Sequence, residues 1–330
     1  QTEIWRKLFG FQKDGVKGLL NRMRVFKGCI LADSVGLGKT LQALAVIKYY
    51  ELRNQRVLVL CPKKLGANWL QYRQNSKENP FNNDLFGYDV LYHTDLNRMD
   101  GSQNGIDLSR ISWGNYGLVV IDESHNFRNN NYAPEADIAR RFVRRNTTGM
   151  VAVRDDDGNV SLAKRRITRW ERLIDEVIGS GCRSHVLLLS ATPVNNDLAD
   201  LRNQISLIAG SDVATPNRGE ANHKADFAFM AQLGVKSVRF CFQNAQQRFN
   251  EWYERGRRQE ERADLLTTLG PGFASLLDSL TIARSRKHIK AHYSEEMETI
   301  GSFPVRLPPI NFIPPISCHY PDFTFQWVAQ

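Results

Sequence analysis

Residues 30–40 read I-L-A-D-S-V-G-L-G-K-T, and this stretch decides how the rest of the chain is interpreted. An apolar run of strand character, residues 29–32, leads into a loop with two glycines, and an apolar, helix-forming stretch follows from Thr40 to about Tyr50. Glycines let backbone N–H groups close around phosphate oxygens, and the positive N-terminus of the next helix favours the same anions. The order of strand, glycine-rich loop and helix therefore predicts a cradle for a nucleoside triphosphate.

Two polar side chains complete this cradle. Lys39 is placed to reach the β- and γ-phosphates, and the Thr40 hydroxyl is placed to ligate Mg²⁺. The general pattern G-x-x-x-x-G-K-[ST] has glycine where this chain has Asp33, so only its second half is intact. Motifs further along the chain must therefore decide between a phosphate loop and a plain glycine-rich turn. The loop residues assigned to ATP are Gly36, Leu37, Gly38, Lys39, Thr40 and Leu41.

The composition is that of a soluble globular chain, because 330 residues with 42% hydrophobic content allow about two domains of ordinary size. No apolar run approaches the roughly 18 residues of a membrane span, so no membrane partner is expected. The start Q-T-E-I-W-R-K has no signal-peptide pattern and no initiating Met, which predicts a cytoplasmic fragment of a longer product. A formal net charge of +9 favours an anionic partner such as nucleic acid.

The five cysteines show no C-x-x-C spacing. Cys29 and Cys61 stand in apolar, strand-like runs, which predicts buried free thiols in a reducing compartment.

Two polar segments flank the loop in the sequence. Gln12 lies between aromatic residues, and its amide is suited to the donor and acceptor edge of adenine while Phe9 or Phe11 packs against the ring; a surface glutamine is the alternative. Lys63 and Lys64 follow the apolar run 56–62, at the carboxyl end of a predicted buried parallel strand, where open α/β sheets bind ligands. They predict contacts to nucleic-acid phosphates, with a solvated lysine pair as the alternative.

Two further strands end in candidate catalytic residues. Residues 117–125 read G-L-V-V-I-D-E-S-H, so that Asp122 is placed to hold the Mg²⁺ bound by Thr40, and Glu123 is placed to orient or deprotonate the attacking water. Residues 185–189 form the next apolar run and lead into S-A-T-P-V-N-N. The hydroxyls of Ser190 and Thr192 are predicted to bond the Asp-Glu segment and to sense the state of the nucleotide.

These motifs resemble those of superfamily 2 helicases, because Gln12, G-L-G-K-T, P-K-K, D-E-S-H and S-A-T-P occur in that family's order and approximate spacing. Within the superfamily the chain looks like the SWI/SNF-like branch of DNA translocases, whose phosphate loop typically reads D-E-M-G-L-G-K-T and also has Asp at the position of Asp33. Residues 281–289, T-I-A-R-S-R-K-H-I, resemble the R-R-T-K segment of that branch. L-P-P at 307–309 resembles the L-P-P that precedes its second lobe.

The resemblance implies a RecA-like α/β lobe, a parallel sheet flanked by helices, that hydrolyses ATP with Mg²⁺ and moves along double-stranded DNA. His125, Ser190 and Thr192 would couple hydrolysis to motion, and Arg128 would join the two lysines on nucleic acid. The implied domains are a lobe at 1–210, a helical protrusion at 211–300 and a Pro-rich linker into a second lobe at 301–330. The branch takes its arginine finger from that second lobe, so the isolated chain is expected to hydrolyse ATP negligibly.

An insert at about 132–172 separates the D-E-S-H and S-A-T-P motifs. Its arginines precede V-A-V-R-D-D-D-G-N-V-S-L-A, residues 151–163, which has the alternation and Asp-Gly turn of a β-hairpin. A hairpin with basic flanks is suited to a nucleic-acid backbone, and a solvated charged loop is the alternative. His288 and His292 are spaced i, i+4, but no neighbouring Glu completes a zinc pattern, so no metal is assigned to them.

Two other functions stay open at this point: an RNA helicase of the D-E-x-H type, and a nucleotide-dependent scaffold without turnover. The wording W-G-N-Y-G-L-V-V-I-D-E-S-H-N-F-R-N looks most like bacterial members of the branch, some of them joined to nucleases or found in anti-phage defence. Nuclease or defence-complex subunits are therefore further expected partners.

Overall fold

A six-stranded parallel sheet lies at the centre of the computed structural model, which describes residues 2–127, 150–154, 160–164, 168–193, 198–209, 238–257 and 265–294. All of these belong to one compact unit, Gln1–Ser294. The strands are β1 Gly28–Leu31, β2 Val57–Cys61, β3 Asp89–Tyr92, β4 Ser102–Gln103, β5 Ile106–Asp107, β6 Leu118–Asp122, β7 Met150–Arg154, β8 Val160–Lys164, β9 His185–Leu189 and β10 Thr281–Ile282. The sheet has the order β10-β1-β9-β6-β2-β3, and two antiparallel pairs, β4-β5 and β7-β8, lie outside it.

Helices connect the strands and cover the sheet, as parallel strands require. The helix after the phosphate loop begins directly after Gly38. The helix before β1 ends at Phe26, and the left-handed backbone of the next residue, Lys27 (φ 63°), turns the chain into the strand. The helices are α1 Glu3–Lys7, α2 Gly10–Phe26, α3 Lys39–Glu51, α4 Gly66–Leu70, α5 Arg169–Glu171 with a π-helical continuation Arg172–Ile178, α6 Leu198–Ala209, α7 Val238–Arg257, α8 Leu265–Leu269, α9 Pro271–Leu280 and α10 Arg286–His292.

The core has two halves, one on each face of the sheet, because successive strand side chains point to opposite faces. Along β2, Val57 and Val59 pack with α1, α2 and α3, whereas Leu58 and Leu60 pack with α6, the π-helical turn and the helices after Val238. Every residue of β1 and β2 is buried, as expected for strands covered on both faces. This arrangement confirms the predicted parallel α/β sheet flanked by helices.

The predicted hairpin in the insert is present, with β7 and β8 paired antiparallel from Met150–Lys164 to Arg154–Val160. The basic residues 140–145 and the linker 301–330 lie outside the described residues. Within the range predicted for the protrusion, Phe242, Phe273 and Leu276 are buried in the core on one sheet face. Residues 281–282 add a strand at the edge of the sheet that the sequence did not predict.

None of the helices in the described ranges is long and apolar enough to cross a membrane.

Candidate nucleotide site at the carboxyl edge of the sheet

Three loops that carry the predicted motifs meet at one edge of the sheet, because they follow the carboxyl ends of parallel strands. The phosphate loop follows β1, the Asp122–Glu123 pair ends β6, and Ser190 follows β9. Strand β9 lies between β1 and β6 and is hydrogen-bonded to both. The S-A-T-P motif that follows β9 is thus placed directly between the phosphate loop and the two acids.

The backbone of the phosphate loop has the left-handed turns that glycine permits. Gly36 has φ 86° and Gly38 has φ 75°, and a Cβ on Gly38 would collide with the side-chain amide of Gln12. Leu37 between them is buried, and its N–H donates to the Ser34 carbonyl at 3.3 Å. Because α3 begins at Lys39, directly after the loop, the N–H groups of its first turn have no partner within the helix. Such a helix N-terminus next to a glycine-rich loop is the arrangement that binds phosphate.

Lys39 is half-buried in this cradle, and its Nζ donates to the carbonyl of Asp33 at 2.7 Å. Burial lowers the pKa of Lys39, while the negative charges of Asp33, Glu123 and Asp122 act in the opposite direction. The two acids at the end of β6 therefore attract the Lys39 ammonium electrostatically. Thr40 and Leu41 follow in the first turn of α3, and both are partly buried.

Asp122 is held in place by two hydrogen bonds. Its Oδ2 accepts from the indole Nε1 of Trp69 at 2.9 Å, and its Oδ1 accepts from the N–H of Glu123 at 2.9 Å. Burial raises the pKa of Asp122, and the Trp69 bond opposes that shift. Within the described ranges no three His, Cys, Asp or Glu side chains form a metal cluster. The Asp122 carboxylate and the Thr40 hydroxyl are nevertheless the hard oxygen donors that suit Mg²⁺, which commonly takes its other ligands from water and phosphate.

Glu123 is linked to the S-A-T-P motif through the imidazole of His125. Its backbone is left-handed (φ 50°), and its Oε2 lies 3.2 Å from Nδ1 of His125. The same ring nitrogen lies 3.4 Å from Oγ of Ser190, which also accepts from the N–H of Thr192 at 3.2 Å. The Ser190 hydroxyl therefore meets the D-E-S-H motif at the imidazole of His125, and Thr192 bonds Ser190 through its backbone N–H. Direct bonds from the two hydroxyls to the Asp-Glu segment stay a prediction.

Gln12 uses both ends of its side-chain amide in bonds to the protein backbone. The side chain is buried, its Oε1 accepts from the N–H of Phe9 at 3.1 Å, and its Nε2 donates to the Leu37 carbonyl at 3.2 Å. The amide thus caps α2 and fastens the phosphate loop to it. Beside it, the rings of Phe9 and Phe11 are nearly parallel, with centroids 6.1 Å apart. An adenine contact by Gln12 stays a prediction, and it would require the amide to exchange these partners.

The two predicted phosphate-contacting lysines lie on the same edge. Lys63 and Lys64 are exposed, and they open the short 3₁₀ turn Lys63–Leu65 after β2. Arg128, predicted to join them, lies outside the described residues. The imidazoles of His288 and His292 are neighbours on α10, with ring centroids 4.5 Å apart, and no third metal ligand accompanies them in the part of the chain that the structure describes.

Cys29 and Cys61 are buried free thiols, as predicted. Burial raises the pKa of each to about 12.

Sequence reasoning missed two residues that shape this site, Trp69 and Arg284. Trp69 lies on α4, and its bond to Asp122 had no signature in the spacing of the motifs. Arg284 pairs with Asp33, whose carboxylate is fully buried. A buried aspartate needs a cationic partner, so the departure at Asp33 was a usable signal, but 44 lysines and arginines gave no means of choosing among them.

Part of the chain is similar in sequence to known proteins. Residues 11–80 match the family model described as the SNF2-related domain. Over 133 residues the chain is 29% identical to the mouse "DNA annealing helicase and endonuclease ZRANB3", a match that covers 36% of this chain and 12% of that protein. Over 195 residues it is 26% identical to the Bacillus subtilis "Uncharacterized ATP-dependent helicase YqhH", covering 57% of this chain and 27% of that protein.

Among solved structures, the "Sulfolobus solfataricus SWI2/SNF2 ATPase core in complex with dsDNA" is similar at 16% identity and a TM-score of 0.41, covering 85% of this chain and 45% of that one. The chain therefore spans much less than two thirds of the length of these relatives.

Proposed function

We propose that this chain, a member of the SNF2-related branch of superfamily 2 helicases, is the ATP-binding and ATP-hydrolysing motor lobe of a translocase that moves on double-stranded DNA. The observation that carries the proposal is the meeting of three elements at one sheet edge: the glycine cradle with Lys39, the acids Asp122 and Glu123, and the Ser190 loop between them. Phosphoryl transfer depends on positioning and on electrostatic stabilisation, and these elements supply both.

Each side chain has a role in this proposal. The loop amides and Lys39 bind the β- and γ-phosphates of ATP, and Thr40 and Asp122 hold Mg²⁺. When bound, Mg²⁺ neutralises phosphate charge and orients the terminal phosphate. Glu123 accepts a proton from the attacking water, and its contact with His125 transmits the change in its charge to Ser190. ATP hydrolysis assisted by Glu123 is thereby coupled to the position of the loop that follows β9.

The DNA part of the proposal is supported by the exposed Lys63 and Lys64 beside the site and by the net charge of +9. Such contacts bind phosphates of any sequence, as a motor that walks along DNA requires. We further propose the division into a lobe at 1–210, a protrusion at 211–300 and a linker at 301–330 to a second RecA-like lobe that brings the arginine finger. Bacterial origin, and assembly with nuclease or anti-phage defence subunits, are extensions of this proposal that rest on sequence resemblance.

The proposal is tested by comparing ATP hydrolysis without nucleic acid, with duplex DNA and with RNA. The measurement uses the chain mixed with the second lobe, or the protein in which both are joined. Stimulation by duplex DNA above the level with RNA is the expected result. Stimulation by RNA alone would favour a D-E-x-H RNA helicase, and ATP binding without turnover under all three conditions would favour a scaffold.

A further inference from the structure

The phosphate loop contains a buried carboxylate where the general pattern has glycine. Asp33 has no solvent-exposed surface, and Arg284, distant in sequence, binds it through the side chain and the backbone. Nε and the backbone N–H of Arg284 each donate to Oδ1 at 3.0 Å, and NH2 donates to Oδ2. The guanidinium thus engages both carboxylate oxygens, which is the strongest arrangement for such a pair.

This pair is joined to two helices. The NH2 group of Arg284 also donates to Oε1 of Gln42 at 2.7 Å, and Gln42 Nε2 donates to Oδ2 of Asp33 at 3.0 Å. NH1 of Arg284 donates to the carbonyl of Phe11, and the guanidinium carbon lies 5.6 Å from the centre of that ring. Asp33, α2 and α3 are therefore fixed to one another around a single arginine, whose three side-chain nitrogens all have protein partners.

The backbone around Arg284 lies along the loop. Strand β10 pairs with β1, and the N–H of Ala32 donates to the Ile282 carbonyl at 2.7 Å. One step further, the N–H of Ser34 donates to the carbonyl of Arg284 at 3.0 Å. Asp33 is thus held on both sides by residues 282–284. Because the Asp33 carbonyl is the acceptor of Lys39 Nζ, these residues determine where the phosphate-binding lysine rests.

An unpaired carboxylate at this position would oppose phosphate binding in two ways. It would be buried without compensation, which is costly, and its negative charge would lie close to the phosphates. Arg284 neutralises that charge and fixes its direction. The side-chain donors of Arg284 bind Asp33, Gln42 and Phe11. The guanidinium therefore supports the loop through these protein partners.

We propose that Arg284 is a positioning residue for ATP: by binding Asp33 it holds the phosphate loop in the shape that presents Lys39 and the loop amides, without touching the nucleotide. This inference rests on the proposed function, since it concerns the same site. It gives a role to residues 281–289, which resemble the R-R-T-K segment, as the outer support of the phosphate loop.

The test measures Mg-ATP affinity of the purified chain by titration calorimetry and, without nucleotide, hydrogen exchange along the backbone. Arg284→Lys keeps the charge but loses the fork of donors, and Asp33→Asn keeps the shape but loses the charge. Each is expected to weaken Mg-ATP binding roughly tenfold, as for a lost charged hydrogen bond. In both variants exchange is expected to accelerate in residues 33–39 and to stay unchanged in β6. Since both act through one pair, the double variant is expected to be no weaker than the weaker single one.

Arg22→Lys is the matched control. Arg22 donates through Nε and NH2 to the carbonyl of Asp278, at 3.1 and 2.9 Å, and so supports the same part of the chain away from the loop. It should leave Mg-ATP affinity within about twofold of the original.

The possible results distinguish a failure of the proposed ATP site from a failure of the role proposed for Arg284. If the unmodified chain fails to bind Mg-ATP, the proposed function itself is overturned. If the unmodified chain binds and both single variants bind equally well, the function stands and the role of Arg284 is refuted. Weaker binding with faster exchange throughout the sheet would also refute it, because the substitutions would then act on global stability.

Discussion

The indole N–H of Trp69 donates to the carboxylate of Asp122 across 2.9 Å, and this bond joins two motifs that lie far apart in the sequence. Trp69 is buried in α4 and packs edge-to-face on Tyr88, with ring centroids 6.1 Å apart. The helix follows directly on the 3₁₀ turn that exposes Lys63 and Lys64. One short segment therefore carries the two lysines proposed to contact nucleic acid and also orients the proposed Mg²⁺ ligand.

Trp69→Phe should raise the Mg²⁺ concentration needed for half-maximal ATP hydrolysis about tenfold, because it keeps the ring but removes the donor that fixes Asp122. Steady-state rates over a Mg²⁺ titration, with the second lobe and duplex DNA present, measure this. Trp170→Phe is the control, since that indole is also buried but its Nε1 has no hydrogen-bond partner among the described residues. Identical Mg²⁺ dependence in the two variants would remove the assigned role of Trp69.

Ser190→Ala should leave ATP affinity unchanged and lower DNA-stimulated turnover about tenfold, since the lost hydroxyl connects His125 with the loop after β9. Ser184→Ala is its control at the opposite end of the same strand. The Ser184 hydroxyl bonds the carbonyls of Tyr116 and Val177, so its loss should reduce stability by about 1 kcal/mol and spare turnover. A loss of ATP affinity in Ser190→Ala, measured by equilibrium titration, would contradict the coupling role.

Charge reversal at both Lys63 and Lys64 should weaken duplex DNA binding equally for all sequences and reduce its salt dependence, because contacts to phosphate carry no sequence information. Fluorescence anisotropy at several salt concentrations measures both quantities. The Lys17→Glu/Lys77→Glu variant changes the net charge by the same amount at two other exposed positions. If it weakens binding as much as the first variant, the effect belongs to the overall charge and the local contact is disproved.

Cys29 and Cys61 should resist alkylation at pH 8 while Cys182, which is exposed, reacts rapidly. A thiol reacts as the thiolate, and burial raises the pKa of both buried thiols to about 12, so that the thiolate remains a very small fraction even at pH 9 and labelling should stay slow there. Mass spectrometry of peptides after timed treatment with iodoacetamide reads each site. Rapid labelling of Cys29 or Cys61 in the folded chain would show that the core is open there.

The strongly apolar strands and the motif residues at their ends were predictable from the sequence. Strands β2, β6 and β9 are continuous apolar runs, and their ends carry Lys63, Asp122 and Ser190 in the predicted order. Short elements were not predictable. Strand β10 has only two residues, too few for any periodic pattern, and its place beside β1 comes from packing at long range.

Side-chain partners were the other part that the sequence could not provide. The adenine contact of Gln12 stays a prediction, but its bond to the Leu37 carbonyl could not be predicted, because an amide satisfies a loop carbonyl as readily as a base. The partner of Asp33 could not be predicted either. An aspartate in place of glycine indicated an unusual phosphate loop, but its partner, Arg284, lies far along the chain.

We propose that ATP binds at the loop between β1 and α3 and is hydrolysed with help from Glu123, and a matched pair of variants separates these two roles. Equilibrium titration with Mg-ATP is to be measured on Lys39→Ala and on Glu123→Gln, beside steady-state hydrolysis with the second lobe and duplex DNA present. We predict that Lys39→Ala loses most of its ATP affinity, because the cation facing the phosphates is gone, whereas Glu123→Gln binds normally and fails to hydrolyse. Equal ATP affinity in both variants, or undiminished hydrolysis by Glu123→Gln, would rule out the roles assigned to Lys39 and Glu123.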